Sequence, residues 1–328
     1  MRLLLPAALI FLTLGPVPWT GFRYPVVDRS QTASARPLLY PAATGGTLRF
    51  VEGWRLTSSN SMFGGFSALA LRGDRRFLLI GDNGQATRLT LGADGSVSDV
   101  AIAALPTPPR SPQRKAFTDA EAMVRDPVTG KLWIALEGIN QVWRIDAGLT
   151  RVESRRRSPA LYRWPANRGP EAMVRLKDGR TILFSEGEDR NDYGTEALVY
   201  TDDPAVPGKP PLLFYYDAEG KGQISDAAPL PDGRILLVHR RLGLGPLFTT
   251  TLAIVDPADI GKGRVVRSVA IGQVPEPLRE NYEGAAVAVE DGRTFVWLVA
   301  DDNFNSWQRS LLLKFELVDL PDSKKAAR

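Results

Sequence analysis

Glu121-Ala122-Met123-Val124 and Glu171-Ala172-Met173-Val174 repeat one phrase 50 residues apart. A similar opening, a small or acidic residue followed by Ala or Gly and an apolar stretch, occurs three more times. These are Ser67-Ala68-Leu69-Ala70-Leu71, Asp226-Ala227-Ala228-Pro229-Leu230 and Glu283-Gly284-Ala285-Ala286-Val287. The starts at 67, 121, 171, 226 and 283 are spaced 54, 50, 55 and 57 residues apart. Self-similarity at a period near fifty is the mark of a repeat architecture, and of propeller blades in particular.

Each opening runs into a turn containing Gly, among them Lys177-Asp178-Gly179, Pro231-Asp232-Gly233 and Glu290-Asp291-Gly292. A second apolar strand follows, for example Leu132 to Leu136, Ile235 to Val238 and Thr294 to Val299. Asp-Gly between β-forming runs is a strong hairpin signal, so the unit is a meander. Third strands are expected near 86–91, 141–145, 196–200, 249–255 and 310–317, and outer strands near 97–103, 152–157, 211–216 and 264–270. The fifth unit has no outer strand left, and residues 47–56 can supply it, closing the ring. The fold expected is all-β, a single propeller of five four-stranded blades over 36–320, with a polar tail at 321–328. Six blades is the alternative, if the N-terminal segment and an irregular insertion form another.

The 328 residues are 44% hydrophobic and 24% charged, which excludes a disordered or collagen-like chain. With 41 basic and 37 acidic residues, the charge bias is too weak to argue for nucleic acid. There is no cysteine and one histidine, His239, so disulfides, thiolate sites, a lipid-modified cysteine and multi-histidine zinc sites are excluded. Any metal must be held by oxygen. Met1-Arg2 precedes an apolar run from Leu3 to Leu14, the order of an export signal, too short to span a bilayer comfortably. Ala33-Ser34-Ala35 has the small-x-small form of a processing site, and an uncleaved anchor running on through Phe22 is the alternative. Residues 1–35 are thus expected to be a signal peptide or anchor with a linker. The protein body is expected in the periplasm or outside the cell, acting as a monomer and touching a membrane only through that segment.

In a propeller the first strand of each blade lines the channel, so the repeated starts Glu121, Glu171, Asp226 and Glu283 should meet at its mouth. A hairpin returns the chain to the same end, which adds Asp82, Glu137, Glu186 and Asp301 from the ends of the second strands. Turn capping and salt bridges to arginine explain any one such acid, but not the same acid in blade after blade. So many like charges require cations or protons, and a loose cup of oxygens suits Ca²⁺ better than Mg²⁺. In the fourth blade His239, Arg240 and Arg241 fill the slot that is acidic elsewhere. Arg240 or Arg241 could grip a phosphate or carboxylate while His239 moves a proton, or the three could simply pack and pair.

Other signals are weaker. Gly65-Phe66-Ser67-Ala68-Leu69 lacks the second glycine of a nucleophile elbow. The basic run Arg151 to Arg157 reads as a solvated outer strand. Of the tryptophans, Trp133, Trp143, Trp164, Trp297 and Trp307 are expected to pack between blades, although Trp164 and Trp307 fall in loops and could instead border a ligand.

Gly64-Gly65-Phe66-Ser67-Ala68-Leu69, Gly81-Asp82-Asn83-Gly84, the repeated Glu-Ala-Met-Val, Asn281-Tyr282-Glu283-Gly284 and Ala300-Asp301-Asp302-Asn303-Phe304 together resemble the esterase-like activity of phytase family, over residues 45–318. The resemblance implies a propeller, an exported protein and a calcium-dependent hydrolase of phosphate or carboxylic esters with a small anionic or ester substrate. It also implies that Asp82, Glu121, Glu137, Glu171, Glu186, Asp226, Glu283 and Asp301 are the metal ligands. On that reading Arg240 holds the anion and Glu171 or His239 is the general base. The true phytases' own motifs have no clear copy here. A non-catalytic propeller tied by calcium or ion pairs, and a lactonase-like metal enzyme, are the alternative readings.

Overall fold

In a computed structural model of the chain, residues 27–40, 46–108, 117–165, 168–186 and 193–322 are described. The apolar run 3–14 lies outside them, as does the C-terminal tail beyond Asp322. Among the described residues no helix is long and apolar enough to cross a membrane.

Alternating, β-branched and aromatic-rich segments pair as antiparallel meanders. Blade 1 is β3 (Phe66–Leu71), β4 (Arg76–Gly81), β5 (Gln85–Leu91) and β6 (Val97–Ala104). Blade 2 is β7 (Ala120–Arg125), β8 (Leu132–Leu136), β9 (Gln141–Ile145) and β10 (Val152–Arg156). Blade 3 comprises β11 (Pro170–Arg175), β12 (Thr181–Ser185), β13 (Thr195–Tyr200) and β14 (Leu212–Asp217). Blade 4 is built from β15 (Gln223–Pro229), β16 (Ile235–Leu242), β17 (Phe248–Val255) and β19 (Val269–Gln273). In blade 5, β20 (Asn281–Glu290), β21 (Arg293–Asp301) and β22 (Leu311–Leu317) are completed by the N-terminal β2 (Leu48–Thr57).

The first strands touch in the cycle β3, β7, β11, β15, β20 and back to β3, so five blades close one ring. The five-blade expectation holds, and so does closure by the N-terminal strand. That strand covers the edge β22 would otherwise expose, and β1 (Ser34–Pro37) covers β2 in turn. Ala33-Ser34-Ala35 therefore sits in or beside a paired strand, with Ala35 opposite Leu56.

The expected outer strand at 264–270 is two strands. β18 (Val265–Arg267) runs parallel to β14 and extends blade 3, and only β19 belongs to blade 4. Ser268, between them, donates or accepts a hydrogen bond with the Tyr216 hydroxyl at 2.6 Å, fixing the crossover.

The apolar core lies between blades rather than in one centre. One cluster joins Trp297 and Phe77 across blades 5 and 1, their rings edge to face at 4.9 Å. Another packs Phe184, Phe214 and Tyr216 of blade 3 against blade 4. Trp133 and Trp143 are buried as expected, and so is Trp164, whose Nε1 donates to Glu196 at 2.9 Å. Trp307, expected between blades, is instead 63% exposed, because its loop leaves the sheet before β22 begins. The basic run lies on or beside the outer strand β10, with Arg157 over the Tyr162 ring.

Candidate functional site

Every first strand carries a β-bulge near its start. The register slips between Phe66 and Ala68, Ala120 and Ala122, Pro170 and Ala172, Ile224 and Asp226, and Tyr282 and Gly284. A bulge leaves one residue out of the ladder and re-aims its side chain. The residues so released are Ser67, Glu121, Glu171, Ser225 and Glu283. Opposite them, one place past the partners of Phe66, Ala120, Pro170, Ile224 and Tyr282, stand Asp82, Glu137, Glu186, Arg240 and Asp301. The amides of Asp82, Glu137 and Glu186 donate to the carbonyls of Gly65, Asp119 and Gly169 at 2.9, 3.0 and 3.1 Å, which repeats one geometry in three blades.

This register corrects the fourth repeat by one place. Ser225, not Asp226, is the counterpart of the glutamates, and its hydroxyl donates to the Tyr282 carbonyl at 2.9 Å, as Ser67 donates to that of Ala120. Asp226 turns into the wall between blades 4 and 5. There one carboxylate oxygen accepts from the Ala285 amide at 2.6 Å and the other from its own neighbour Ala227 at 2.8 Å. Burial raises its pKa well above the ordinary carboxylate value, the two amides pull it back, and no other acid contributes. It is not brought to the mouth.

His239 is corrected in the same way. It is fully buried, stacks on Tyr216, and its Nε2 shares a 2.7 Å hydrogen bond with the Tyr216 hydroxyl. Burial, helped by Lys221, lowers its pKa to about 4, so it is a neutral core imidazole at neutral pH. Arg240, the next residue, faces the acids instead, as alternation along a strand requires. Arg241 is exposed.

Two further side chains join the group by lying two places before a bulged glutamate on the same side of the strand: Asp119 before Glu121, and Asn281 before Glu283. The assembled set is Asp82, Asp119, Glu121, Glu137, Glu171, Glu186, Glu283 and Asp301, with Arg240 reaching in. Arg240 Nη1 donates to Glu283 at 2.6 Å and to Asn281 Oδ1 at 2.8 Å, and its Nη2 stands 3.5 Å from Glu186. The Asn281 amide nitrogen in turn donates to Glu283 at 3.0 Å and to Asp301 at 3.1 Å.

Burial and mutual repulsion dominate the titration of these acids. Burial first, then the charges of Glu283, Asp119, Glu137 and Asp82, push the Glu121 pKa well up. Burial and the charges of Glu121, Glu186, Glu137 and Glu283 do the same to Glu171. Glu137 and Glu283 are raised for the same first reason, although the Gly169 amide and Arg240, respectively, oppose it. Asp301 is pushed up to about 8, mainly by burial and by Glu283. Burial works against the Arg240 charge, yet Glu283, Glu171 and Glu186 hold its pKa above the usual value.

The donors suit a hard divalent cation. Carboxylate oxygens of Asp119, Glu121 and Glu137 lie within 4.8 Å of one another, as do those of Glu137, Glu171 and Glu186. Oxygens bound to one ion at about 2.3–2.6 Å can stand no more than about 5 Å apart, so each trio fits. Glu137 is common to both. Beside it Asn140 Oδ1 is buried and accepts no hydrogen bond among the described residues, while its amide nitrogen donates to the Trp164 carbonyl at 2.7 Å. A buried amide oxygen left over next to a ligand set is the chemistry a cation would use.

The mouth has an apolar lip. Asn303 and Phe304 are consecutive non-glycine residues at φ 48° and 52°, and such backbone persists only where neighbours over-determine it. Here Asp301 accepts from the Asn303 amide at 2.6 Å and Asp302 from Phe304 at 3.1 Å. Gly65, at φ 59°, makes room: a Cβ there would strike both the Phe304 ring and Asp82.

A ring of five four-stranded blades whose channel mouth gathers carboxylates able to bind a metal defines a propeller with a candidate metal centre. The family described as "Phytase-like: Esterase-like activity of phytase" matches residues 61–304, and the chain belongs to that family. Among curated proteins none matches. Among solved structures the chain is similar to glutaminyl cyclase from Myxococcus xanthus, at 14% identity and TM-score 0.49, covering 83% of this chain and 97% of that one. It is also similar to an exo-1,5-α-L-arabinanase from a bovine ruminal metagenomic library, at 13% identity and TM-score 0.46, covering 78% and 94%. Neither likeness bears on the chemistry.

Proposed function

We propose that the protein is a calcium-dependent hydrolase of phosphate or carboxylic esters, exported and acting as a monomer, with its site at the acidic mouth. The observation that carries this reading is the pair of carboxylate trios sharing Glu137, beside the buried Glu121 and Glu171 whose pKa values burial and neighbouring charges push well up. Asp119, Glu121, Glu137, Glu171 and Glu186 would hold the ion, and the oxygen-only donor set with loose spacing favours calcium over magnesium. When bound, such a cation polarises an ester oxygen and makes a bound water more acidic.

The chain's own residues do the rest. Arg240 is pre-set by Glu283 and Asn281, and its Nη2, only loosely placed against Glu186, is the edge offered to a substrate anion. Burial and the charges of Glu121, Glu186, Glu137 and Glu283 raise the Glu171 pKa well above the ordinary carboxylate value, so its proton is held or released according to how that field is neutralised. Asn281 orients Glu283 and Asp301 together, and Phe304 with its strained turn restricts water at one side of the opening.

The test is hydrolysis of p-nitrophenyl phosphate and p-nitrophenyl butyrate by purified protein with calcium and with a chelator. Turnover of either substrate that depends on calcium and falls at least tenfold in Glu137→Gln supports the proposal. Absence of turnover with calcium present refutes it and leaves a propeller that calcium only ties together.

A further inference from the structure

The repeated strand reads Glu-Ala-Met-Val-Arg in blades 2 and 3, and its order is a section through the channel. Glu121 and Glu171 stand at the mouth, Val124 borders the channel while Met123, Met173 and Val174 are buried between the blades behind it, and Arg125 and Arg175 stand at the far end. At about 3.3 Å per residue the acid and the arginine are roughly 13 Å apart. Blades 4 and 5 place Ala227-Ala228 and Ala285-Ala286 where blades 2 and 3 have Met-Val. The first strands enclose a void of about 730 Å³ that opens at the lower end, within the range of small-molecule sites.

The charged side chains lining this void are Arg125, Arg175, Lys177 and a single acid, Asp126. Asp126 already accepts from the Val128 and Thr129 amides. The acids of two neighbouring turns are engaged as well, Asp178 by Arg180 and Asp232 by Arg234. Arg175 lies on the Trp133 ring at 4.5 Å and Arg125 donates to the Leu71 carbonyl at 3.4 Å, contacts that hold both cations at the rim without neutralising them. Nearby, burial and the like charges of Arg88, Arg125 and Arg76 lower the pKa of Arg72, a sign of positive charge in excess on this side.

We propose that the lower channel binds a single-chain amphiphilic anion, an alkyl carboxylate or alkyl phosphate. Its tail lies along Leu71, Val124 and Val287, and its head sits at Arg125, Arg175 and Lys177. This site is separate from the acidic mouth and does not depend on hydrolysis there. Its physical basis is simple: an apolar tube drives the tail in, and a cationic rim selects the sign of the head.

Calorimetric titration in chelator with octanoate, decanoate, dodecanoate, dodecyl phosphate and dodecyltrimethylammonium tests the proposal. Each added methylene should tighten carboxylate binding about fourfold, since burying one contributes about 0.8 kcal/mol. The dodecanoate and dodecyl phosphate arms say which head group is preferred, and the cationic detergent should bind at least tenfold more weakly than either. Val124→Trp, which fills the tube, should abolish binding. Arg125→Glu with Lys177→Glu, at the rim, should weaken it at least tenfold with an unchanged melting temperature. Three results would overturn the proposal: no alkyl anion binding below millimolar concentration, equal binding of anion and cation, or wild-type affinity in the charge-reversed protein.

Discussion

Arg240, Glu137 and His239 carry distinct roles that single substitutions separate. Removing the Arg240 guanidinium strands Glu283 and Asn281, and Arg240→Ala should cost about 1–3 kcal/mol in calcium-free protein, read by denaturant unfolding. Arg240→Lys should recover little, because a point charge cannot bridge Nη1 and Nη2 partners at once. His239→Gln should leave ester hydrolysis within twofold of wild type while lowering stability, because the ring serves Tyr216 between blades and not the mouth. A large loss of turnover with an unchanged fold would return His239 to the chemistry. Gly65→Ala should destabilise by about 1–3 kcal/mol, because its backbone is left-handed and the Cβ meets Phe304 and Asp82.

At the level of strands, the bulge is the device that builds the site. It turns one residue per blade out of the ladder and aims it at the mouth, and this explains both what the sequence reveals and what it hides. The Glu-Ala-Met-Val repeat announces Glu121 and Glu171 because there the bulged residue is itself the recurring acid. In blade 4 the bulged residue is Ser225 in Gln223-Ile224-Ser225-Asp226, and the acid one place later imitates the repeat while facing a wall. Asp119 and Asn281 escape notice because sharing a side with the bulged residue is a matter of register, which the sequence does not display. The split of 264–270 is hidden for a similar reason, since Ser268 crosses between blades inside what reads as one apolar run.

The acids at these strand ends also set a pH dependence. Carboxyls with folded pKa values above the unfolded ones contribute stability that is complete below about pH 4 and is lost as pH rises through the folded value. For Asp301 that value is about 8. Calcium-free protein should therefore lose melting temperature steadily between about pH 5 and 8, the window those shifts define. Saturating calcium should flatten the profile, and its affinity should rise with pH as protons cease to compete. A melting temperature that is constant or climbs over this window without calcium would contradict the electrostatic account.

Over the whole molecule, stability comes from closing the ring. Each apolar cluster spans two blades, so no blade owns a core, and β2 is the strand that joins last to first. A chain starting at Ser58 should expose β22 as a bare edge and aggregate, seen as loss of the monomer peak in size-exclusion chromatography. The ring explains the channel's polarity too, since the first strands of blades 2 and 3 carry acid at one end and arginine at the other. The most direct measurement is the melting temperature of wild-type protein and Glu137→Gln at pH 7.5, in chelator and in 100-fold excess calcium over its dissociation constant. Binding at that excess contributes about 2.7 kcal/mol, so wild type should gain about 4 °C and Glu137→Gln little. Identical melts of wild type with and without calcium would contradict the claim that this mouth is a cation site.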